Sequence, residues 1–344
     1  MNKRRWIGIG IAAALLGVSL VTSGLKKQEK TDKENTLTNM EQLLYGSGQL
    51  EESVLEEGNE EKRIVQLTVD GTITDTGESS SLFSTASYNH QQLLNELKEI
   101  QKDSTIKGVL LVVNSPGGGV YESAEIAKEI AKVQQKGKRL YVSMKSMAAS
   151  GGYYISASAD KIFATNETIT GSIGVISSNL NYSGLLEKLG INDQTYKSGA
   201  LKDMNSSVRP ATEEDKTVMQ AYIDSAYNRF VEIVANGRHL PVDTVKKIAD
   251  GRIYDGSQAV KNGLVDEIGY QDDALKALKK ENNLKDAEVF QYNVSATGFA
   301  SSWLGSSLAE MQGLKQSDSS RIMSIVESIG TPEAPKPMYY YGGE

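Results

Sequence analysis

The alternation of apolar and polar positions divides the chain into five stretches. Behind Lys3, Arg4 and Arg5, residues 6–25 carry no charge and are mostly apolar. About 20 such residues suffice for one helical crossing of a bilayer. Residues 26–62 are polar, with six glutamates between Glu51 and Glu61, and read as a solvated tether. Residues 63–70 are the first strand, ended by Gly71. Leu93, Leu94, Leu97 and Ile100 then fall on one helical stripe. The run 107–113 is continuously apolar, as a strand covered on both faces requires. Residues 122–135 predict a helix, 139–144 a strand and 161–164 another short strand. Strand, helix, strand at this spacing implies α/β construction.

A strand is expected over 191–196, and beyond Lys202 the pattern turns helical. Pro210 to Asp215 carries the signs of a capping box. Met219, Tyr222, Ile223, Ala226, Phe230 and Ile233 then recur at helical spacing, which predicts a core-facing stripe. A helix over 241–250, a strand over 264–268, a helix over 272–282 and a strand over 287–294 complete one folded domain, 63–295. Residues 296–344 form a Ser- and Gly-rich tail ending in Pro335-Lys336-Pro337-Met338-Tyr339-Tyr340-Tyr341. No internal repeat is present.

Composition narrows the chemistry. The 344 residues carry a net charge of −7 and no long basic run, which argues against a nucleic-acid partner. Cysteine is absent, so disulfides, thiolate nucleophiles and Cys-based zinc sites are excluded. The two histidines, His90 and His239, exclude a three-histidine metal centre. No metal and no cofactor is expected. Residues 6–25 exceed the usual apolar core of a cleaved signal peptide, about 7–15 residues, so a permanent single-span anchor is favoured over cleavage near Ser23 and Gly24. The preceding positive charges place residues 1–5 in the cytoplasm and the bulk of the chain outside it.

Candidate chemistry centres on Met147 to Tyr154, reading M-A-A-S-G-G-Y-Y. Small residues leave room around Ser150, and Gly151 lets a backbone N–H approach a developing oxyanion. A helix continuing through Tyr153 to Ala157 puts Ser150 near a positive helix end. The plain alternative is a tight helix-packing site. Asn114-Ser115-Pro116-Gly117-Gly118-Gly119 follows the buried strand, where α/β folds bind ligands. It matches neither the P-loop nor the dinucleotide pattern. Gly117 or Gly118 offers one oxyanion donor and Gly151 a second; an ordinary turn is the alternative.

Ser150 needs a base. The two histidines lie in polar surroundings and read as surface or capping residues. Lysine serves where its pKa falls from about 10.4 toward neutrality. Lys202, in Ser198-Gly199-Ala200-Leu201-Lys202-Asp203, is the candidate, with Lys197 and Lys145 as competitors. Ser172, set between glycines in T-G-S-I-G-V ahead of an expected apolar strand, either orients a lysine or makes a simple turn.

These segments occur in the order found in bacterial signal peptide peptidase A, as do Gly251-Arg252-Ile253-Tyr254-Asp255-Gly256 and Gly263-Leu264-Val265-Asp266. The chain resembles the short, one-domain form of that family over residues 60–295. The resemblance implies a ClpP/crotonase-like α/β fold with a helical extension behind a single transmembrane helix. It implies a membrane-bound serine endopeptidase acting on remnant signal peptides or other short unfolded peptides. Ser150 would be the nucleophile, Lys202 the general base, Ser172 the group that orients the lysine, and the Gly117 and Gly151 amides the oxyanion hole. A ring-like homo-oligomer, with eight copies as one size, is implied, its sites combining Ser150 of one copy with Lys202 of the next. Lys145 departs from the small residue usual at its position. The alternatives are a crotonase-type acyl-CoA enzyme, which needs no serine nucleophile, and a non-catalytic membrane scaffold. The terminal tyrosines after prolines read either as a recognition segment that docks in a groove of its own assembly or as a flexible end with no role.

Overall fold

The computed structural model describes residues 50–75, 88–294 and 338–340. The expected anchor over 6–25 lies outside them. Among the described residues no helix is long and apolar enough to cross a membrane.

Eleven strands and eight helices are described. In chain order they are β1 (Leu50–Glu56), β2 (Asn59–Asp70), α1 (His90–Lys102), β3 (Ile106–Ser115), β4 (Gly117–Gly119), α2 (Val120–Gln135), β5 (Arg139–Ala149), α3 (Gly151–Ser156), β6 (Lys161–Ala164) and β7 (Ile169–Gly171). There follow α4 (Ser183–Lys188), α5 (Glu213–Gly237), α6 (Val242–Ile248), β8 (Ile253–Tyr254), α7 (Gly256–Lys261), β9 (Glu267–Ile268), α8 (Gln271–Glu281), β10 (Ala287–Val294) and β11 (Met338–Tyr340). One sheet runs β1-β10-β2-β3-β5-β6-β9, and β7 continues the end of β5 toward β8. The pairings β10–β2, β2–β3, β3–β5, β5–β6 and β5–β7 are all parallel. The α/β class expected from the sequence is the one observed, built on a mainly parallel sheet.

The sheet is covered on both faces, which is why β3 reads as an unbroken apolar run. Successive side chains of a strand point to opposite faces. Val109, Leu111 and Val113 accordingly join Leu93, Leu97, Ile126 and Ile130 of α1 and α2. Leu110 and Val112 pack instead with Ala274 and Leu278 of α8. Asn89 caps α1 by accepting the Gln92 N–H at 2.9 Å. Thr212 and Asp215 form the capping box that starts α5, as expected.

Glu96 sits in this core on the buried side of α1, and burial pushes its carboxyl up from 4.5 to about 7. The folded state therefore disfavours the ionised form. Below about pH 4 the group is protonated folded or unfolded and costs nothing; the penalty grows as pH rises through about 7. Glu96→Gln keeps the acceptor that now takes the Gln92 amide at 2.8 Å. Unfolding experiments on it should show a gain of at most roughly 3 kcal/mol near pH 8, vanishing near pH 4.

Four expectations are corrected. The glutamate-rich 51–61 stretch is strand rather than tether. Arg63 binds Glu52 at 2.6 Å and Asp103 at 2.7 Å, so charge pairing fixes a segment that hydrophobicity does not. Residues 191–196 form no strand: every one of them is exposed, and none pairs with a strand among the described residues. Only Glu267–Ile268 of the expected 264–268 strand is paired. Of the α5 stripe, Ala226 and Phe230 are buried, whereas Tyr222 is half exposed and Met219 and Ile223 are only partly covered.

Candidate active site

β5 ends at Ala149, and the chain reverses into α3 through Ser150 at φ +52° and ψ −115°. A side chain at such a φ costs about 1–3 kcal/mol and persists only where the surroundings fix it. They do so here. The Ser150 N–H donates to Gly171 O at 2.8 Å, and its carbonyl accepts the Tyr154 N–H at 2.8 Å. The Tyr153 hydroxyl anchors α3 by donating to Leu264 O at 2.9 Å. Ser150 is almost wholly buried, and its hydroxyl makes no capping bond to its own helix.

Two more expected residues converge on it. Ser172 follows the Gly171 whose carbonyl holds Ser150. It is buried at φ +49°, and its N–H donates to Arg252 O at 2.8 Å. The apolar segment after it is not a strand except for a single bridge at Ile176. Gly117 lies at φ +100°, its Cα packed against Gly151. Its N–H, expected as an oxyanion donor, is directed instead to Ser115 Oγ at 3.1 Å. Its neighbour faces the groove. The Ile73 N–H donates to Gly117 O, and the Gly119 N–H to Ile73 O, both at 2.8 Å. Backbone groups alternate sides along a strand, so the polar groups of Gly118 point the other way, toward β11.

β11 is the tail strand. It runs antiparallel to β4 with Tyr339 opposite Gly118 and Tyr340 opposite Gly117. Its other edge is also paired, Met338 and Ile176 exchanging bonds of 2.9 and 3.1 Å. An extended segment thus lies in a slot between β4 and Ile176, beside Ser150, in the kind of groove expected for the terminal tyrosines. The Tyr339 side chain is fully buried among Tyr154, Phe230 and Ala226. Sequence reasoning missed this aromatic seat, although Tyr154 and Phe230 both lay in patterns it had singled out. It also missed Ser123, whose buried hydroxyl finds no partner and abuts Gly151.

Lys202 is not brought to this cluster. It is exposed, in an arm in which no residue from 174 to 214 is buried. Lys197 is held by Asp203 at 2.7 Å; Arg209 also binds Asp203, at 2.8 Å, and Asp215, at 2.6 Å. Hydrogen bonds from Arg209 hold both carboxyls well below the usual range. Lys145 is exposed on β5. His90, read as a surface or capping residue, is buried between the Tyr88 hydroxyl at 2.6 Å and Glu125 at 3.1 Å, while His239 is exposed. Among the described residues no three His, Asp or Glu side chains group to hold a metal ion.

A serine on a strained strand-to-helix reversal, with glycine amides gathered around an extended strand, is the arrangement of a serine hydrolase that accepts polypeptide. Comparison with known proteins agrees. Residues 132–285 match peptidase family S49. The chain is 58% identical, over the full length of both, to an Enterococcus faecium protein named "Putative signal peptide peptidase SppA". It is 37% identical over 241 residues, 70% of this chain and 38% of the other, to "Protease 4" of Haemophilus influenzae. With "Serine protease SPPA, chloroplastic" of Arabidopsis thaliana it shares 32% over 195 residues, 56% and 29% of the two chains. The chain belongs to the signal peptide peptidase A family of S49 peptidases.

Proposed function

We propose that the chain is a membrane-anchored Ser-Lys endopeptidase in which Ser150 attacks the peptide and Lys202 of a neighbouring copy is the general base. The observation that carries this reading is Ser150 itself, strained, buried and uncapped beside the Gly151 and Gly118 amides. Among the described residues of one copy no lysine or histidine is hydrogen-bonded to it. The arm bearing Lys202 instead exposes Ile176, Leu180, Leu185, Leu189, Ile191 and Tyr196. Such an apolar surface fits burial against another copy, and the half-exposed start of α5 continues it.

In this mechanism neutral Lys202 takes the Ser150 proton as Oγ adds to the scissile carbonyl. Amides of Gly151 and Gly118 receive the oxyanion, and the proton passes to the leaving amine. Water then resolves the ester by the same route. Ser172, one residue beyond the carbonyl that fixes Ser150, orients the incoming amine. The slot between β4 and Ile176 binds any extended chain through its main chain. Anchoring by residues 6–25 would hold the domain outside the cytoplasm beside spent signal peptides, the substrate class that the Enterococcus faecium relative's name suggests.

A fluorophosphonate should label Ser150 alone, and Ser150→Ala should take no label. A crotonase-type acyl-CoA enzyme, lacking a serine nucleophile, would not be labelled. A lysine accepts a proton only when neutral, so peptidase activity should rise rather than fall as the solution is made more alkaline. A rate that fell on that side would remove lysine from the base role.

A further inference from the structure

A peptide plane between two glycines turns with little steric resistance. The run Gly117-Gly118-Gly119 therefore keeps one arrangement only if its polar groups are tied from outside. On one side the tie is backbone: the Ile73 N–H donates to Gly117 O, and the Gly119 N–H to Ile73 O, both at 2.8 Å. On the other it is a side chain, Ser115 Oγ, which accepts the Gly117 N–H at 3.1 Å. Ser115 is wholly buried and firmly seated. It stands opposite Ala148 in the β3–β5 ladder, and its carbonyl packs on Gly152, where an added Cβ would stand 2.7 Å away. The elements that carry Ser150 thus also fix the hydroxyl that holds the glycine run. The point where a Cβ on Gly151 would stand is 3.1 Å from the Gly118 nitrogen, so the two amides assigned to the oxyanion are neighbours.

We propose that Ser115 is a positioning residue, whose hydroxyl holds the Gly117 N–H inward and thereby turns the Gly118 N–H toward the carbonyl that Ser150 attacks. This rests on Ser150 being the nucleophile and on Gly118 being an oxyanion donor. Successive amides of an extended run point to opposite sides, so fixing the first sets the second. Without the Ser115 acceptor, the buried Gly117 N–H is left unpaired, and its peptide plane gains by turning toward any other acceptor, the substrate carbonyl included. Two arrangements then compete, and only one sets the Gly118 amide beside that of Gly151. The rate falls with the fraction of chains in the competent arrangement. A donor aimed in advance needs no reorganisation as the oxyanion forms, so the loss appears in the transition state rather than in substrate binding. Ser115 itself touches no reacting atom and exchanges no proton; it acts through the backbone of the glycine run.

The test compares Ser115→Ala, Ser115→Cys and Ser115→Thr with the unaltered full chain in detergent, using a peptide substrate and the aldehyde of its acyl-side peptide. Alanine removes the acceptor, cysteine fills the space with a poor one, and threonine keeps the hydroxyl. The aldehyde forms a tetrahedral adduct on Ser150 whose oxygen needs the same amides as the transition state. Ser115→Ala and Ser115→Cys should lose about 10- to 100-fold in kcat, somewhat less than removal of an oxyanion donor outright. Their KM should stay within about twofold, and aldehyde affinity should fall by the same factor as kcat/KM. Ser115→Thr should keep most of the rate. Ser156→Ala is the structural control: that hydroxyl is equally buried but donates to Gly152 O at 2.7 Å, within its own helix. It should lower stability and leave kcat alone. Should Ser115→Ala fail to fold, the comparison of cysteine with threonine decides. An undiminished kcat in Ser115→Cys, or a raised KM with kcat intact, overturns the positioning role while sparing the peptidase. So does a fall in kcat that aldehyde affinity does not follow. A wild-type chain that neither cleaves peptides nor takes a fluorophosphonate removes the peptidase reading itself, and this proposal with it.

Discussion

Mixed before assembly, the Ser150→Ala and Lys202→Ala variants should regain activity that neither has alone. Each single variant is expected to lose on the order of 10⁴-fold in kcat, because nucleophile and base act as a unit. In a mixed ring, a copy retaining Ser150 can stand next to a copy retaining Lys202. With equal amounts and random order, about a quarter of the sites are then complete, so roughly a quarter of wild-type activity should return. A dyad formed within one chain gives no such recovery, since every copy carries one lesion. The structure motivates the experiment by contrast in burial. Ser150 is closed in the core, while Lys202 stands on an arm with no buried residue from 174 to 214. Size measurements on both variants are needed alongside. Loss of assembly in Lys202→Ala would show the lysine to be a structural contact, whereas an inactive mixture of intact rings would sink the shared site.

The same contrast explains what the sequence made legible. Strands inside the sheet announced themselves because both faces are covered, so β3 had to be apolar throughout. The Ser150 motif was legible for a similar reason, since a tight reversal beside a neighbouring backbone admits only small residues. Reading failed where a segment's partner is remote in sequence or carries charge. β1 is held by the pairing of its Glu52 with Arg63 and by β10 alongside it. Residues 191–196 and the first half of α5 have an apolar pattern that is real but unsatisfied within one copy. Met219 and Tyr222 were expected in a core, and the single chain does not bury them. The seat of Tyr339 joins residues 154, 230 and 339, a separation that periodicity does not reach. Gly117 and Gly118 were alternatives in the sequence, and the Gly117 N–H bond to Ser115 Oγ together with the direction of the Ile73 bonds distinguishes them.

That distinction gives the glycine run its strongest test. Gly117→Ala should abolish most peptide cleavage, by on the order of 100-fold or more in kcat/KM. The new methyl would stand 1.9 Å from the Tyr339 carbonyl oxygen and 2.5 Å from the Gly151 nitrogen, far inside van der Waals contact. It therefore blocks the bound strand and the oxyanion amide at once. Backbone strain alone is no sufficient account, and Gly137→Ala provides the control. Gly137 has a similar left-handed backbone, φ +79° against +100°, but a Cβ there meets nothing within 4 Å. Both variants should lose about 1–2 kcal/mol of stability from the forced φ. Only Gly117→Ala should lose activity. Parallel unfolding curves and peptidase assays decide the matter. Equal loss of activity in the two variants would reduce the glycine to a folding requirement. Retained cleavage in Gly117→Ala would mean that the scissile carbonyl binds elsewhere than against Gly151.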